Sequence, residues 1–379
     1  MEGLGIMKDV IRLSKSVIGD AEKQAVMGVL DREYLGMGKE VKEFETELSR
    51  FFSRPAVCVN TGTAALHLAL QALGIGKGDE VLVQSLTYVA SFQAISATGA
   101  RPIPCDIDPD TITIDIHDAK KHFTKRTKAI MPVHYSGGMG ALDEIYAFAE
   151  NNDLRVVEDA CHAFGGFYKE KKVGSFGDIS CFSFDGIKNI TSGEGGAVVT
   201  KDESILQKVR DARLLGVEKD TENRYKGERS WDFDVHHQGW RYHMSNIMAA
   251  IGIEQLKKFP ESSIKRRSLA NRYRSNLRTA DSIELLKLDF DSIVPHIFVI
   301  KIKSPDREKI REKLLEKGIQ TGIHYLPNHF LSMYRSEMEL PVTEHVYPRL
   351  LSLPLHPDLK ESDIDYICEQ LIRCTSNET

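Results

Sequence analysis

Between residues 56 and 200 the chain repeats one pattern, a short apolar run followed by a turn and a helical stretch. The apolar runs fall at 56–59, 80–84, 102–105, 128–133, 155–158, 179–184 and 196–200. Runs this short, bounded by turn residues, read as buried strands rather than helices. Strands that alternate with helices require crossovers, and crossovers give a mainly parallel sheet with helices on both faces. The expected fold class is therefore α/β, with a seven-stranded, mainly parallel sheet in a large domain.

The flanks follow other patterns. Residues 1–55 look helical and amphipathic, punctuated by Gly36 and Gly38. The polar and aromatic stretch 220–240 reads as a long loop, the kind that is functional or disordered. A helical pattern runs from Ser245 to Leu277, with Pro260 as a candidate break. Its basic run 264–278 also carries Leu269, Tyr273 and Leu277, so the charges read as a solvated helix face. A smaller α/β part follows: a strand at 293–302, a helix at 306–318 closed by Gly318, and a second strand at 319–325. With 379 residues the chain is long enough for two domains, expected at 1–250 and 251–379.

Charge and segment composition remove several function classes. Fifty basic residues against 55 acidic give a formal net charge of −5, so no global basic field exists to hold nucleic acid. The N-terminus shows no apolar signal core, and no run approaches the ~18 apolar residues of a membrane span. The six cysteines form no CxxC pair and sit mostly in apolar runs, which suits reduced core residues in the cytoplasm. His236 and His237 have no ligand-spaced cysteines, so no metal site is expected.

Three elements carry chemistry. In SFDGIKNITSGEGGAVV (183–199), Lys188 sits in a turn between two apolar strands. Desolvation there lowers the pKa of an amine and makes it a nucleophile toward carbonyls. In RVVEDACHAFGG (155–166), Asp159 ends a buried strand, where α/β folds place ligands. A carboxylate beside a pyridine nitrogen keeps it protonated. Lys188 and Asp159 together point to pyridoxal 5'-phosphate (PLP), held by the lysine as a Schiff base. In AVCVNTGTAALHLALQALG (56–74), Gly62 and Thr63 open a helix whose free N–H groups can cradle a phosphate. The GxxxxGK[ST] spacing of a nucleotide P-loop is absent, which disfavours NTP hydrolysis.

In this order the three elements resemble the DegT/DnrJ/EryC1/StrS family of PLP-dependent sugar-nucleotide aminotransferases. The resemblance extends from residue 11 through GTAAL (62–66), SLTYVAS (85–91), SFDGIK and GEGG to RYHMSNIMAAIGIEQL (241–256), GIHYLP (322–327) and SLPLHPDL (352–359). It implies the type I PLP-dependent transferase fold. It also implies that Tyr88 stacks on the cofactor ring, that His162 lies near its phenolic oxygen, and that the Ser183 hydroxyl bonds its phosphate. GWRYHMSN (239–246) departs from the family's GYNYRMSN-like stretch, with Arg241 in place of asparagine and His243 in place of arginine. In the family that stretch crosses to the neighbouring subunit's active site, so Arg241 or His243 would reach the partner's cofactor and the protein would be a homodimer. His324, Tyr325 and His329 are candidate substrate contacts.

The activity implied is transfer of an amino group from L-glutamate to a nucleotide-linked 4-keto-6-deoxy sugar for surface glycan synthesis. The alternatives are amination at C3, which in the family goes with a GYNSRLD-like stretch, and sugar dehydration, which goes with histidine in place of the lysine. Lys188 argues against the second. Other PLP reactions are disfavoured by the sugar-family motifs, and a non-enzymatic regulatory protein by the lack of any DNA-reading module.

Overall fold

The structure is a computed structural model that describes residues 10–303 and 306–376. Seven strands form the large sheet: β1 (Ala56–Val59), β2 (Glu80–Gln84), β3 (Arg101–Cys105), β4 (Thr127–Met131), β5 (Arg155–Asp159), β6 (Ile179–Ser183) and β7 (Gly196–Thr200). Their spatial order is β1-β7-β6-β5-β4-β2-β3. The pairs from β6 through β3 are parallel, and β7 runs antiparallel to both of its neighbours, β1 and β6. β3 carries Pro102 and Pro104 and lies at an edge, where a missing N–H breaks no ladder. The other strands are buried throughout or nearly so, as a sheet covered by helices on both faces requires.

This topology gathers one set of turns on one edge. Residues 184–195 form no helix and make no crossover; the chain turns back after β6 and enters β7 antiparallel. Lys188 lies on that return. Because β7 reverses direction, β1 points the same way as β2, β5 and β6. Their carboxyl ends therefore share an edge, and from it start the helices Gly62–Ala72 and Val89–Ala97. Open α/β sheets bind their ligands along this edge.

At the N-terminus, helices Asp20–Asp31 and Lys39–Phe52 fit the amphipathic pattern, but residues 10–18 are extended. Ile11 exchanges backbone hydrogen bonds with the 318–320 segment instead, since its N–H reaches the Gly318 carbonyl at 2.8 Å and its own carbonyl accepts from Gln320 at 3.0 Å. Residues 1–9 lie outside the described range. The expected strand at 319–325 is a second correction. That segment makes only isolated bridges, Ile319 to Ile11 and Gly322 to Ser352. The smaller sheet is antiparallel and built from Ile283–Leu285, Phe298–Ile302 and Leu350–Leu353. The fully buried run LLSL fills the place beside Phe298–Ile302, and the polar Gln320-Thr321-Gly322 stretch, with less apolar surface to bury, passes along its edge.

The pattern from Ser245 resolves as one helix of 32 residues, Asn246–Leu277, which keeps Pro260 inside it. The residue boundary 250/251 falls within its first turns. Leu269, Tyr273 and Leu277 are buried as its apolar face, and Arg266 of the basic run is buried with them rather than solvated. The 220–240 stretch contains one short helix, Asp220–Tyr225, and continues irregularly with Trp231 87% exposed. Among the described residues no helix is long and apolar enough to cross a membrane, and no group of three or more His, Cys, Asp or Glu could hold a metal ion.

Candidate active site

A cavity of about 430 Å³ opens at the shared carboxyl edge. Gly62, Thr63, Tyr88, Asp159, His162, Ser183, Lys188, His324 and Tyr325 all line it. The phosphate-cradle element forms one wall. Thr61 caps the helix Gly62–Ala72 by accepting from the Ala64 N–H at 3.0 Å, which leaves the first amides of that helix directed at the cavity. Glycine is required at 62 by close approach. A Cβ there would lie 2.7 Å from the Ser183 Cβ and 3.1 Å from the Cys161 Sγ.

Asp159, the last residue of β5, is held by two donors. Its Oδ2 accepts from the Ser91 hydroxyl at 2.7 Å and its Oδ1 from the Cys161 N–H at 3.2 Å. Strand alternation separates it from Glu158, which points to the opposite face of the sheet. There Glu158 meets the His134 ring at 2.7 Å and the Tyr146 hydroxyl at 2.5 Å, a buried structural network remote from the cavity lining. Tyr88 stands just before the helix Val89–Ala97, lines the cavity and is 57% exposed as a residue, its ring 5.4 Å from the Tyr325 ring.

Lys188 stands among three histidines. Its Nζ lies 3.3 Å from His296 Nε2, and the His296 and His162 rings are 4.6 Å apart. Burial holds the lysine amine below its usual range, opposed by the nearby Cys161, Asp185 and Asp159. Burial, and then the neighbouring Lys188, push His162 and His296 well below the ordinary histidine range. The same two causes bring His324 down to about 4. Burial also pushes the Tyr325 phenol up, and its hydroxyl pairs with His162 Nε2 at 3.0 Å. His324 pairs through Nδ1 with the Ser352 hydroxyl at 2.7 Å, and its carbonyl accepts from the Tyr135 hydroxyl. The site thus disfavours the charged form of its three histidines, which face the lysine as neutral rings.

Sequence reasoning passed over His296, which lies in no catalytic motif and reads as part of an apolar strand. It also passed over Thr61, Cys161, Asp185 and Glu194, which line the cavity too. Three expected site residues lie elsewhere. His329 is buried outside the cavity, with Nδ1 2.6 Å from the Ser85 hydroxyl and Nε2 3.4 Å from Glu344. Arg241 is exposed and bridges Leu214 through its backbone. His243 is half-buried, and burial followed by the positive Arg241 lowers its pKa to about 4.

The DegT/DnrJ/EryC1/StrS aminotransferase family model matches residues 16–372. The chain belongs to this family. Among curated relatives, the spore coat polysaccharide biosynthesis protein SpsC of Bacillus subtilis is 36% identical over 368 residues, covering 94% of this chain and 95% of SpsC. Among solved structures, the PLP form of the putative sugar aminotransferase Spr1654 from Streptococcus pneumoniae superposes with a TM-score of 0.89 at 28% identity, covering 97% of this chain and 99% of that one. Helicobacter pylori PseC, an aminotransferase involved in the biosynthesis of pseudoaminic acid, gives a TM-score of 0.90 at 28% identity, covering 97% and 100%.

As a DegT/DnrJ/EryC1/StrS member the protein is an aminotransferase, and its cofactor is pyridoxal 5'-phosphate. The cavity fits that group: an amine at its floor, a carboxylate with its hydrogen bonds already oriented, a helix N-terminus pinched by Gly62, and an aromatic face at Tyr88.

Two expectations follow from this geometry. Gly62→Ala forces the Ser183 side chain away from the cradle. Overpacking of this kind costs about 1–3 kcal/mol, so cofactor affinity falls roughly 5- to 150-fold, measurable by fluorescence titration of the apoprotein with PLP. The second concerns pH. The folded-state pKa of His324 is about 4, below the ~6.5 of an unfolded histidine, so the unfolded chain binds more protons between those values. This residue's contribution to stability is complete above pH ~6.5 and is lost as pH falls through about 4. Glutamine takes up no proton there, so the melting temperature of wild type should fall relative to that of His324→Gln as pH drops from about 6.5 to about 4, and a difference that stays constant over this range would overturn the expectation.

Proposed function

We propose that the protein is a sugar-nucleotide aminotransferase that moves an amino group from L-glutamate to a nucleotide-linked 4-keto-6-deoxy sugar, giving a 4-amino-4,6-dideoxy sugar for surface glycan assembly. The observation that carries this reading is Lys188 and Asp159 in one cavity whose outer wall is the His324-Tyr325 segment. The name of SpsC, a spore coat polysaccharide biosynthesis protein, and the sugar aminotransferases among the structural neighbours support the substrate class.

In this reading Lys188 would hold the cofactor through its amine, with Asp159 as the partner of its ring nitrogen and Tyr88 against its ring. The Gly62 and Thr63 amides and the Ser183 hydroxyl would hold its phosphate, and His162 would serve its phenolic oxygen. When bound, PLP supplies the electron sink that stabilises negative charge at the substrate carbon and stores the amino group between half-reactions. The chain's own part is proton management and orientation. Lys188 Nζ, whose ammonium form burial disfavours, would take the proton from the donor's α-carbon in one half-reaction and return one to the sugar carbon in the other. Proton transfer by a positioned group contributes ~10²–10⁴-fold. His324 and Tyr325 meet the sugar.

Arg241 and His243 stand outside the cavity of their own chain, which accords with a homodimer in which they serve the partner's site. The exposed Trp231 and Phe233 just before them would then be covered. Sedimentation of the holoenzyme is expected to give a dimer. The six free cysteines accord with a cytoplasmic protein.

The test is incubation of the holoenzyme with L-glutamate and a panel of 3-keto- and 4-keto-6-deoxy sugar nucleotides, followed by NMR of the product. Nitrogen on C4 is expected; nitrogen on C3, or no turnover of any 4-keto sugar, overturns the position.

A further inference from the structure

His296 is buried, with its Nε2 3.3 Å from the Lys188 amine. Two clamps fix that approach. Asn189, the residue after the lysine, donates through Nδ2 to the Val294 carbonyl at 3.0 Å and to the Phe164 carbonyl at 3.1 Å. From the other side the buried Arg266 donates to the Pro295, His296 and Leu355 carbonyls at 3.5, 3.3 and 3.3 Å. The segment 294–296 is thereby tied to the lysine loop on one side and to the long helix on the other. A ring held this firmly beside a four-carbon flexible stem restricts where the amine can point.

We propose that His296 is a positioning residue for Lys188: its Nε2 hydrogen-bonds the amine whenever the amine is not joined to the cofactor, and so holds the lone pair toward the reacting carbon. The proposal rests on the reading of Lys188 as the cofactor-bearing lysine. A lysine side chain carries ~2 kcal/mol of rotamer entropy, and once released from the cofactor it would otherwise sample many orientations. His296 Nδ1 is buried and meets no hydrogen-bond partner among the described residues, so no protein group stands on the far side of the ring to take a proton onward. The charged and titratable groups that face the ring are Lys188, His162, Arg266 and His324, each cationic when protonated; burial first, and then these neighbours, disfavour the imidazolium form. A neutral ring can accept from the amine without repelling it.

The test compares wild type with His296→Gln, which retains a hydrogen-bonding group, and with His296→Phe and His296→Met, which fill the space without one. Borohydride reduction of the holoenzyme and peptide mapping come first. A cofactor trapped on any lysine other than Lys188 overturns the underlying reading rather than the role of His296. The second readout uses apoprotein: acylation of Lys188 by acetic anhydride, followed by mass spectrometry across pH. Loss of an acceptor for the ammonium form is expected to move the Lys188 midpoint down by about one unit in the Phe and Met variants and to leave it near wild type in Gln. The third is the glutamate half-reaction. Its rate is expected to fall roughly 10- to 100-fold in the apolar variants with KM within about threefold, and to recover largely in Gln, in line with loss of one hydrogen bond to a charged group. Apolar variants with the wild-type midpoint and rate, or a Gln variant as impaired as they are, would overturn the proposal. The Met and Phe variants differ in shape, so a folding failure in one leaves the other to decide.

Discussion

Lys188→Ala is expected to yield a folded protein that has lost both covalent attachment of the cofactor and transamination. The lysine is not what holds its loop together. That loop is fastened by neighbours: the Lys188 N–H to the Asp185 carbonyl at 3.0 Å, Asn189 to the 294 segment, and the Thr191 hydroxyl to the Phe184 carbonyl at 3.3 Å. The Lys188 amine itself is disfavoured as a cation by its burial, so deleting it removes a desolvation cost along with a function. Thermal stability of the apoprotein should consequently stay level or rise. Activity behaves oppositely. The amine is both the group that anchors the cofactor and the group that moves the proton, and proton transfer alone accounts for ~10²–10⁴-fold. Wild type loaded with PLP should show a visible band that L-glutamate bleaches, and Lys188→Ala should show no such linked band. Single-turnover amination at a rate near wild type in this variant would sink the assignment of the lysine.

The fold was legible because its signal is local. Each strand of the large sheet is a short apolar run between turn residues, and burial on both faces makes such runs nearly continuous rather than alternating. That Lys188, Asp159, Ser183, Tyr88 and Gly62 would meet was legible for the same reason. Asp159 and Ser183 end such runs, Gly62, Tyr88 and Lys188 follow three to five residues after one, and a parallel topology sends all such ends to one edge. The strand assignment at 319–325 failed because apolar and polar residues there alternate as in a strand, yet the buried run Leu350–Leu353 competes for the same sheet edge and has more apolar surface to bury. His296 had no local signal at all. Its approach to Lys188 spans 108 residues of chain and depends on Asn189 and Arg266, whose roles appear only once the long helix is packed. The three histidines around the lysine come from three separate segments, so their combined effect on protonation is a property of tertiary structure.

Asp159→Asn is expected to separate the electrical role of this carboxylate from its structural one. Its two hydrogen bonds come from the Ser91 hydroxyl and the Cys161 amide. Asparagine can keep both contacts, with its carbonyl oxygen on the Cys161 N–H and its amide donating to a Ser91 hydroxyl that rotates to accept. Stability should change little. What disappears is the negative charge opposite the ring nitrogen, and removal of one preorganised electrostatic group typically costs ~10²–10³ in kcat. KM for L-glutamate should stay within a few-fold, because the carboxylate acts on charge that develops during reaction rather than on substrate binding. Asp159→Ala is the necessary companion. It leaves the Cys161 amide without its acceptor and the Ser91 hydroxyl with only the Thr87 hydroxyl at 3.2 Å, at about 1–3 kcal/mol, so it should lose stability as well as activity. If Asp159→Asn keeps more than a tenth of wild-type kcat while Asp159→Ala unfolds readily, the residue is a structural anchor for the helix Val89–Ala97 and the cofactor's nitrogen must be served by another group. If Asp159→Asn is folded, binds PLP and is slowed a hundredfold or more, charge at this one position is what makes the cavity an aminotransferase site.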